Sequence, residues 1–160
     1  MAVYIDYEKI PGNATAEGFA GHIKALSLHF GIGRGISMEP GCMSNREATR
    51  PSLSEITFTK AADVATSLLL KESVTGSKGK KVIIKFTQTG ENEVEPFMDY
   101  ELEDCLVSGY SISADGDGHP IETITLSFAK IWVRYIDRDQ TNTNQSPAHA
   151  GYDLTTAKPF

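Results

Sequence analysis

Residue types able to do chemistry are present in this chain, but their spacing rarely matches what chemistry requires. Glu101, Glu103 and Asp104 form an acidic run in Tyr100-Glu-Leu-Glu-Asp-Cys. The two glutamates fall on one face of a strand, where a carboxylate pair could do acid/base work. No sugar-binding aromatics flank them, so a solvated or intersubunit face is the expected role, with a hydrolase using Glu101 or Glu103 as the rival. Asp115 and Asp117 in Asp-Gly-Asp-Gly-His-Pro suggest calcium only superficially. A helix-loop-helix calcium loop counted from Asp115 would need an oxygen ligand at His119, glycine at Pro120 and glutamate at Leu126. Glycines at 31, 33 and 35 mimic a dinucleotide fingerprint, yet Ile36 stands where the pattern needs glycine and no βαβ unit surrounds it. Gly76-Ser-Lys-Gly-Lys-Lys lacks the spacing of a phosphate loop and reads as a helix stop followed by a basic turn.

His22, His29, His119 and His149 are scattered over strand, turn and tail, with no pairing that a metal or a nucleophile would demand. Gly-x-Ser-x-Gly, His-Glu-x-x-His and Cys-x-x-Cys are all missing from the sequence. The residues therefore predict no catalytic, cofactor-binding or metal-binding residue, and a protein that is not an enzyme. Cys42 lies in a glycine-rich loop and Cys105 in a strand-like run, so two free thiols and a reducing compartment are expected.

The elements that would carry these residues are mostly strands. The chain has 160 residues, 40% hydrophobic and 22% charged, which suits one globular domain over 1–160 with a core needing no staple. Period-two alternation places strands at about 3–10, 22–30, 54–59, 81–89, 97–110 and 121–136. Such strands fit a sandwich or barrel. The exception is Asp63 to Thr75, which reads as one short helix with Asp63 as N-cap and Gly76 as stop; Val64, Ala65, Leu68 and Leu69 form its expected packing stripe. Residues 113–120 supply the glycines of a hairpin turn.

Three features point outward from a single core. Residues 31–52 make an extended loop longer than ordinary connections, and it carries Ile32, Ile36, Met38 and Met43, which suit contact with a second chain better than folding back on the barrel. Residues 137–160 read as a polar linker followed by a docking tail around Gly151-Tyr-Asp-Leu154 and the terminal Phe160. In the last long strand the apolar parity changes near Ala129, from Ile124, Leu126 and Phe128 to Ile131, Val133 and Tyr135, so either a bulge shifts the register or the strand is buried on both faces. Trp132 then shares a face with Lys130 and Arg134, where it suits a subunit contact or its own barrel equally. The expected oligomer interface is Ile36, Met38, Met43, Trp132 and Leu154.

Fifteen Lys plus Arg against 21 Asp plus Glu give a formal charge of -6, the wrong sign for a protein that binds phosphate backbones. The start lacks a basic n-region and an apolar h-region, so classical export is not expected, and no run of about 20 apolar residues predicts membrane insertion.

Five blocks in order carry a resemblance: Ser54-Glu-Ile-Thr-Phe-Thr-Lys-Ala-Ala-Asp63; the short helix with Val74-Thr-Gly; Tyr100 to Ser113; Glu122-Thr-Ile-Thr-Leu-Ser-Phe-Ala-Lys-Ile131; and Gly151-Tyr-Asp-Leu154. Together they resemble the Hcp (haemolysin co-regulated protein) family of bacterial type VI secretion. The resemblance implies a mainly β fold, a two-sheet antiparallel β-barrel with one flanking short α-helix, similar to phage tail-tube proteins. It implies a structural subunit of homohexameric rings that stack into the inner tube of a contractile machine. Its implied partners are the sheath, a spike protein and small effector proteins held in the lumen. It also implies location in the bacterial cytoplasm before assembly and ejection to the medium or a target cell without a signal peptide. The family has no catalytic residue to carry over. The alternative from another class is a monomeric ligand-binding β-barrel with the 31–52 loop as a lid.

Overall fold

The computed structural model describes residues 1–37, 40–41, 47–89, 93–136 and 148–160. In chain order the elements are β1 (Ala2–Tyr7), β2 (Ile23–Ala25), β3 (Ser27–His29), β4 (Ile32–Gly33), β5 (Ile36–Ser37), β6 (Glu47–Ala48), β7 (Ser52–Leu53), β8 (Ile56–Ala61), α1 (Thr66–Thr75), β9 (Lys80–Thr89), β10 (Val94–Ser113), β11 (Ile121–Ser127), β12 (Lys130–Tyr135), β13 (Ala148–Asp153) and β14 (Lys158–Pro159).

The 20-residue strand β10 organises the rest. Its N-terminal half lies between β9 and β12, in a sheet ordered β2-β1-β9-β10-β12-β13-β14; its C-terminal half pairs with β11, which continues through β8 to β3. All these pairings are antiparallel. The two sheets meet again where β2 runs into β3, but Leu26 between them has no ladder partner, and its N–H donates to the Thr59 carbonyl at 2.7 Å. The expected two-sheet antiparallel fold is present, while the hydrogen-bonded ladder stays open at that kink.

Inward-facing residues of both sheets form one core. Ile5, Ile23, Ile56, Phe58, Val82, Ile84, Leu102, Ile124 and Leu126 are all fully buried. The parity change near Ala129 is a break between β11 and β12: Leu126 and Phe128 are buried on one parity and Ile131 on the other. β10 changes parity at the same level, from Leu102 to Cys105, across Asp104, whose φ is +52°. Because both strands of the long hairpin switch together, the inner face stays continuous as the chain passes from one sheet to the other.

The helix is shorter than expected and starts differently. Asp63 is not its N-cap: the helix begins at Thr66 with Ala65 in the cap position, and Asp63 instead accepts the Ala65 N–H at 2.9 Å in the turn before it. Gly76 ends it as expected, its N–H donating to the Glu72 carbonyl. Of the expected stripe, Ala65 and Leu69 are buried, whereas Val64 is 57% and Leu68 37% exposed. The ten-residue helix lies on β10 and buries only Leu69 of its own residues, with the cap residue Ala65 beside it.

The tail completes the larger sheet. β13 adds to β12 and β14 folds back on β13, so Phe160 stacks edge-on against Trp132 with ring centroids 4.7 Å apart. Gly151 makes this possible, since a Cβ there would lie 2.5 Å from the Phe160 ring. Trp132 is the only tryptophan. Phe160→Ala is therefore expected to red-shift its emission in dilute solution and to cost about 0.5–1.5 kcal/mol, with the fold intact by circular dichroism. An unshifted spectrum would show that the ring pair is not formed.

Candidate assembly surface

The described residues of segment 31–54 form a two-stranded arm. β4 pairs with β7 through Ile32 and Leu53, and β5 with β6 through Ile36 and Ala48. Between these short ladders Thr49 N–H donates to the Gly35 carbonyl and Gly35 N–H to Thr49 Oγ1, both at 2.9 Å; Ser54 N–H donates to the Gly31 carbonyl. Glycine at 35 lets the strands approach, because a Cβ there would meet Thr49 Oγ1 at 3.1 Å. The expected extended loop is thus, where described, a β-ribbon.

Two of its apolar side chains are open: Ile32 is 61% and Ile36 57% exposed, whereas Leu53 packs against the core. Arg34 and Arg50 are exposed as well. Alternation along the first strand places Ile32, Arg34 and Ile36 on one side. An isolated two-stranded ribbon is marginal in water, so this one gains from a surface to lie on. Cys42, Met38 and Met43 lie outside the described residues.

The other two expected interface residues sit elsewhere. Trp132, in β12, is half-buried under Phe160. Leu154, 39% exposed, follows β13 and donates its N–H to the Ala129 carbonyl at 2.8 Å. The turn after it is held by Asp153, whose Oδ1 accepts from Thr155 N–H, Thr155 Oγ1 and Thr156 N–H; these bonds, the Thr155 hydroxyl foremost, hold its carboxyl below the usual range. Among the described residues no hydrogen bond, ion pair or ring contact links the arm to Trp132 or Leu154. The described members of the expected interface thus lie on two elements, Ile36 on the arm and Trp132 and Leu154 on the tail-braced sheet.

The outer face of that sheet is charged and paired. Lys81 meets Glu101 at 2.7 Å, Arg134 bridges to Asp99, and Lys130 lies 4.0 Å from Glu103 and 3.8 Å from Asp153. The hydrogen bond and charge of Glu101 hold Lys81 above its ordinary range. Glu101 and Glu103 are thus engaged with lysines on a solvated face, the role expected of them. Gly116 and Gly118 take φ of +87° and +82° in the exposed turn between β10 and β11. Cys105 is buried and free, and burial pushes its thiol up to about 12. Among the described residues no three His, Cys, Asp or Glu side chains converge as metal ligands do, and no helix is long and apolar enough to cross a membrane.

Two features escaped sequence reasoning. One is an acid-rimmed groove of about 670 Å³ beside β9 and β10, assembled from the 16–19 turn, Glu93 to Pro96, and side chains of β9, β10 and β12. Residues so far apart in the chain leave no local pattern. The other is a buried ionic cluster of Lys60, Glu122, Asp63 and Tyr110. That one had a signal, since Lys60 follows Ile56 and Phe58, and Glu122 precedes Ile124 and Leu126, at inward-facing positions.

A family model described as "Type VI secretion system effector, Hcp" matches residues 4–135. Among solved structures, a type six secretion system protein is 24% identical, with each chain covered to 99% and a TM-score of 0.89. Hcp1 from Salmonella typhimurium is 22% identical, with 99% of this chain and 98% of that one covered at a TM-score of 0.78. A type VI secretion system effector from Yersinia pestis is 17% identical over 94% of this chain and 98% of that one, at a TM-score of 0.76. No curated protein sequence matches significantly. At these identities the structural likeness establishes the fold.

Proposed function

The chain belongs to the Hcp family of type VI secretion system proteins, and from that premise we propose that it is the subunit of hexameric rings that stack into the inner tube of the secretion machine. Proteins of this family are secreted tube components, multimeric and structural rather than enzymatic. The observation that carries the reading is the arm, on which Ile32 and Ile36 are exposed. Burial of each would stabilise a contact by roughly 1.5–3 kcal/mol. Head-to-tail contacts repeated with a rotation that divides a full turn close a ring. In this reading the subunit is made in the cytoplasm, is ejected by sheath contraction beneath a spike, and carries small effector proteins in the lumen. Among the described residues, none of the arm lines the grooves of about 670, 490 and 400 Å³.

Light scattering on a sizing column tests the ring: a mass several times 17.4 kDa is expected, and the mass of one chain up to high micromolar concentration would overturn it. Ile32→Asp with Ile36→Asp is expected to abolish assembly while the melting midpoint moves by less than about 3 °C, since these side chains lie outside the barrel core. Equal loss of fold and assembly would place them in that core. In cells, immunoblots of the medium are expected to show the protein only when the sheath is present, and unchanged release without the sheath and without lysis would defeat the tube reading.

A further inference from the structure

We propose that the exposed turn between β10 and β11 is a site of spontaneous covalent modification, at which Asp115 and Asp117 convert to β-linked isoaspartate through a succinimide closed by the following glycine. The proposal stands apart from the ring reading. The chain there runs Asp115-Gly116-Asp117-Gly118, and all four residues are exposed. The β10–β11 ladder ends at Ser113 and Ile121, so the turn lies beyond it. Among the described residues no hydrogen bond or ion pair engages either carboxylate or the N–H of either glycine. Both glycines hold a positive φ, +87° and +82°, and beyond their chain neighbours no atom lies within 4 Å of where a Cβ would stand on either.

The reaction needs these features together. The glycine nitrogen gives its proton to solvent and attacks the aspartate Cγ, forming a C–N bond while a carboxyl oxygen leaves as water. A five-membered succinimide results. Water then adds back at one of the two ring carbonyls and breaks a C–N bond. Opening at the main-chain carbonyl leaves the chain running through Cβ, with one extra methylene in the backbone and a free α-carboxylate. One water is lost and one regained, no electrons are transferred, and the product is an isomer of the original chain. Glycine favours the attack because it has no Cβ to crowd its nitrogen and its backbone rotates freely. The carboxyl must also turn back onto the next peptide nitrogen, which a carboxylate held by hydrogen bonds does only by giving them up. The other aspartates with known partners are held in that way. Asp63 accepts from Ala65 N–H at 2.9 Å and pairs with Lys60, Asp99 accepts from Arg134 Nε at 3.0 Å, and Asp153 accepts from Thr155 and Thr156. Each is followed by a residue with a bulky side chain, Val64, Tyr100 and Leu154 respectively.

The test is prolonged incubation of the purified full chain at neutral pH in water enriched in heavy oxygen, followed by peptide mapping with electron-transfer fragmentation, which separates aspartyl from isoaspartyl linkages. Each passage through the succinimide puts one solvent oxygen into the residue. Heavy oxygen and isoaspartyl fragments are expected at 115 and 117, at least about tenfold above Asp63, Asp99 and Asp153, since one charge-assisted hydrogen bond that must first be broken is worth about that factor in rate. Fresh chain digested in the same way sets the background. A carboxyl methyltransferase specific for L-isoaspartate, used as a probe, is expected to label the same peptide of the incubated chain. Asp115→Glu with Asp117→Glu is expected to abolish both signals, because glutamate would have to close a six-membered ring. Both positions are exposed, so thermal melts of this variant should match the parent. Exchange at 115 and 117 no greater than at Asp63 and Asp153, or signals that persist in the double variant, overturn the proposal. Either outcome leaves the ring reading untouched, since ring mass is not the quantity read.

Discussion

Replacing Lys60 alone with methionine is expected to lower the unfolding free energy by about 3–5 kcal/mol, measured by urea titration. Lys60 and Glu122 face each other across β8 and β11 and are both fully buried. Lys60 Nζ also lies 2.9 Å from Asp63 Oδ1, and Tyr110 donates its hydroxyl to Glu122. Removing the ammonium leaves two carboxylates close together, one of them wholly out of water, with no cation between them. Removing Glu122 instead leaves Lys60 still paired with Asp63, so Glu122→Gln should cost less. Substituting both, Lys60→Met with Glu122→Leu, should recover most of the loss, because paired apolar groups avoid the desolvation that the ions suffer. The signature is a large coupling in the double-mutant cycle. A Lys60→Met protein within about 1 kcal/mol of the parent would show that water reaches the cluster. Burial, then the hydrogen bond and charge of Glu122, push the Tyr110 hydroxyl up to about 12. A raised tyrosine contributes its full stability below the ordinary tyrosine range and loses it as pH climbs from that range through about 12.

The crossover of β10 between the sheets is the second place where one residue has a large expected effect. A Cβ on Gly79 would lie 2.5 Å from Asp104 Cα and 2.8 Å from its carbonyl carbon. Both are backbone atoms of the bulge, where the β9–β10 register shifts between Leu102 and Cys105. Neither can turn aside as a side chain would. Gly79→Ala is expected to destabilise by about 1–3 kcal/mol or more, seen as a midpoint lower by about 2–4 °C per kcal/mol. Asp104→Gly acts on the facing strand with the opposite expectation. Asp104 holds a φ of +52°, which glycine adopts without steric cost, so the midpoint should stay or rise by the equivalent of up to about 1 kcal/mol. A tolerated Gly79→Ala would mean that the bulge shifts readily, and the coupled parity change of β10 and β12 would then lose its anchor.

Much of this molecule could be read from residues in order. Alternation located the strands from β1 to β12 that carry the core, because a half-buried strand writes its inward face into the sequence with period two, as in Ile56, Phe58 and Lys60 or Glu122, Ile124 and Leu126; β13, in what reads as a polar linker and tail, was not legible this way. The parity change at Ala129 was legible for the same reason, and the five ordered blocks led to the family. The arm's uncovered isoleucines were visible as apolar residues with nothing local to bury them. Tertiary structure decided the rest, since each remaining feature depends on groups distant in sequence meeting in space. Asp63 lost the N-cap position because its carboxylate is held by the turn before the helix and by Lys60. The loop proved to be a ribbon because residues 31–37 found partners at 47–54. Trp132 gained Phe160 as its neighbour from a tail that folds back over Gly151. The acid-rimmed groove exists only where the 16–19 turn comes to lie over β9 and β10. A pattern along the chain records which face of an element is apolar; it does not record which distant element covers that face, and this second fact places the charges and rings on the surface.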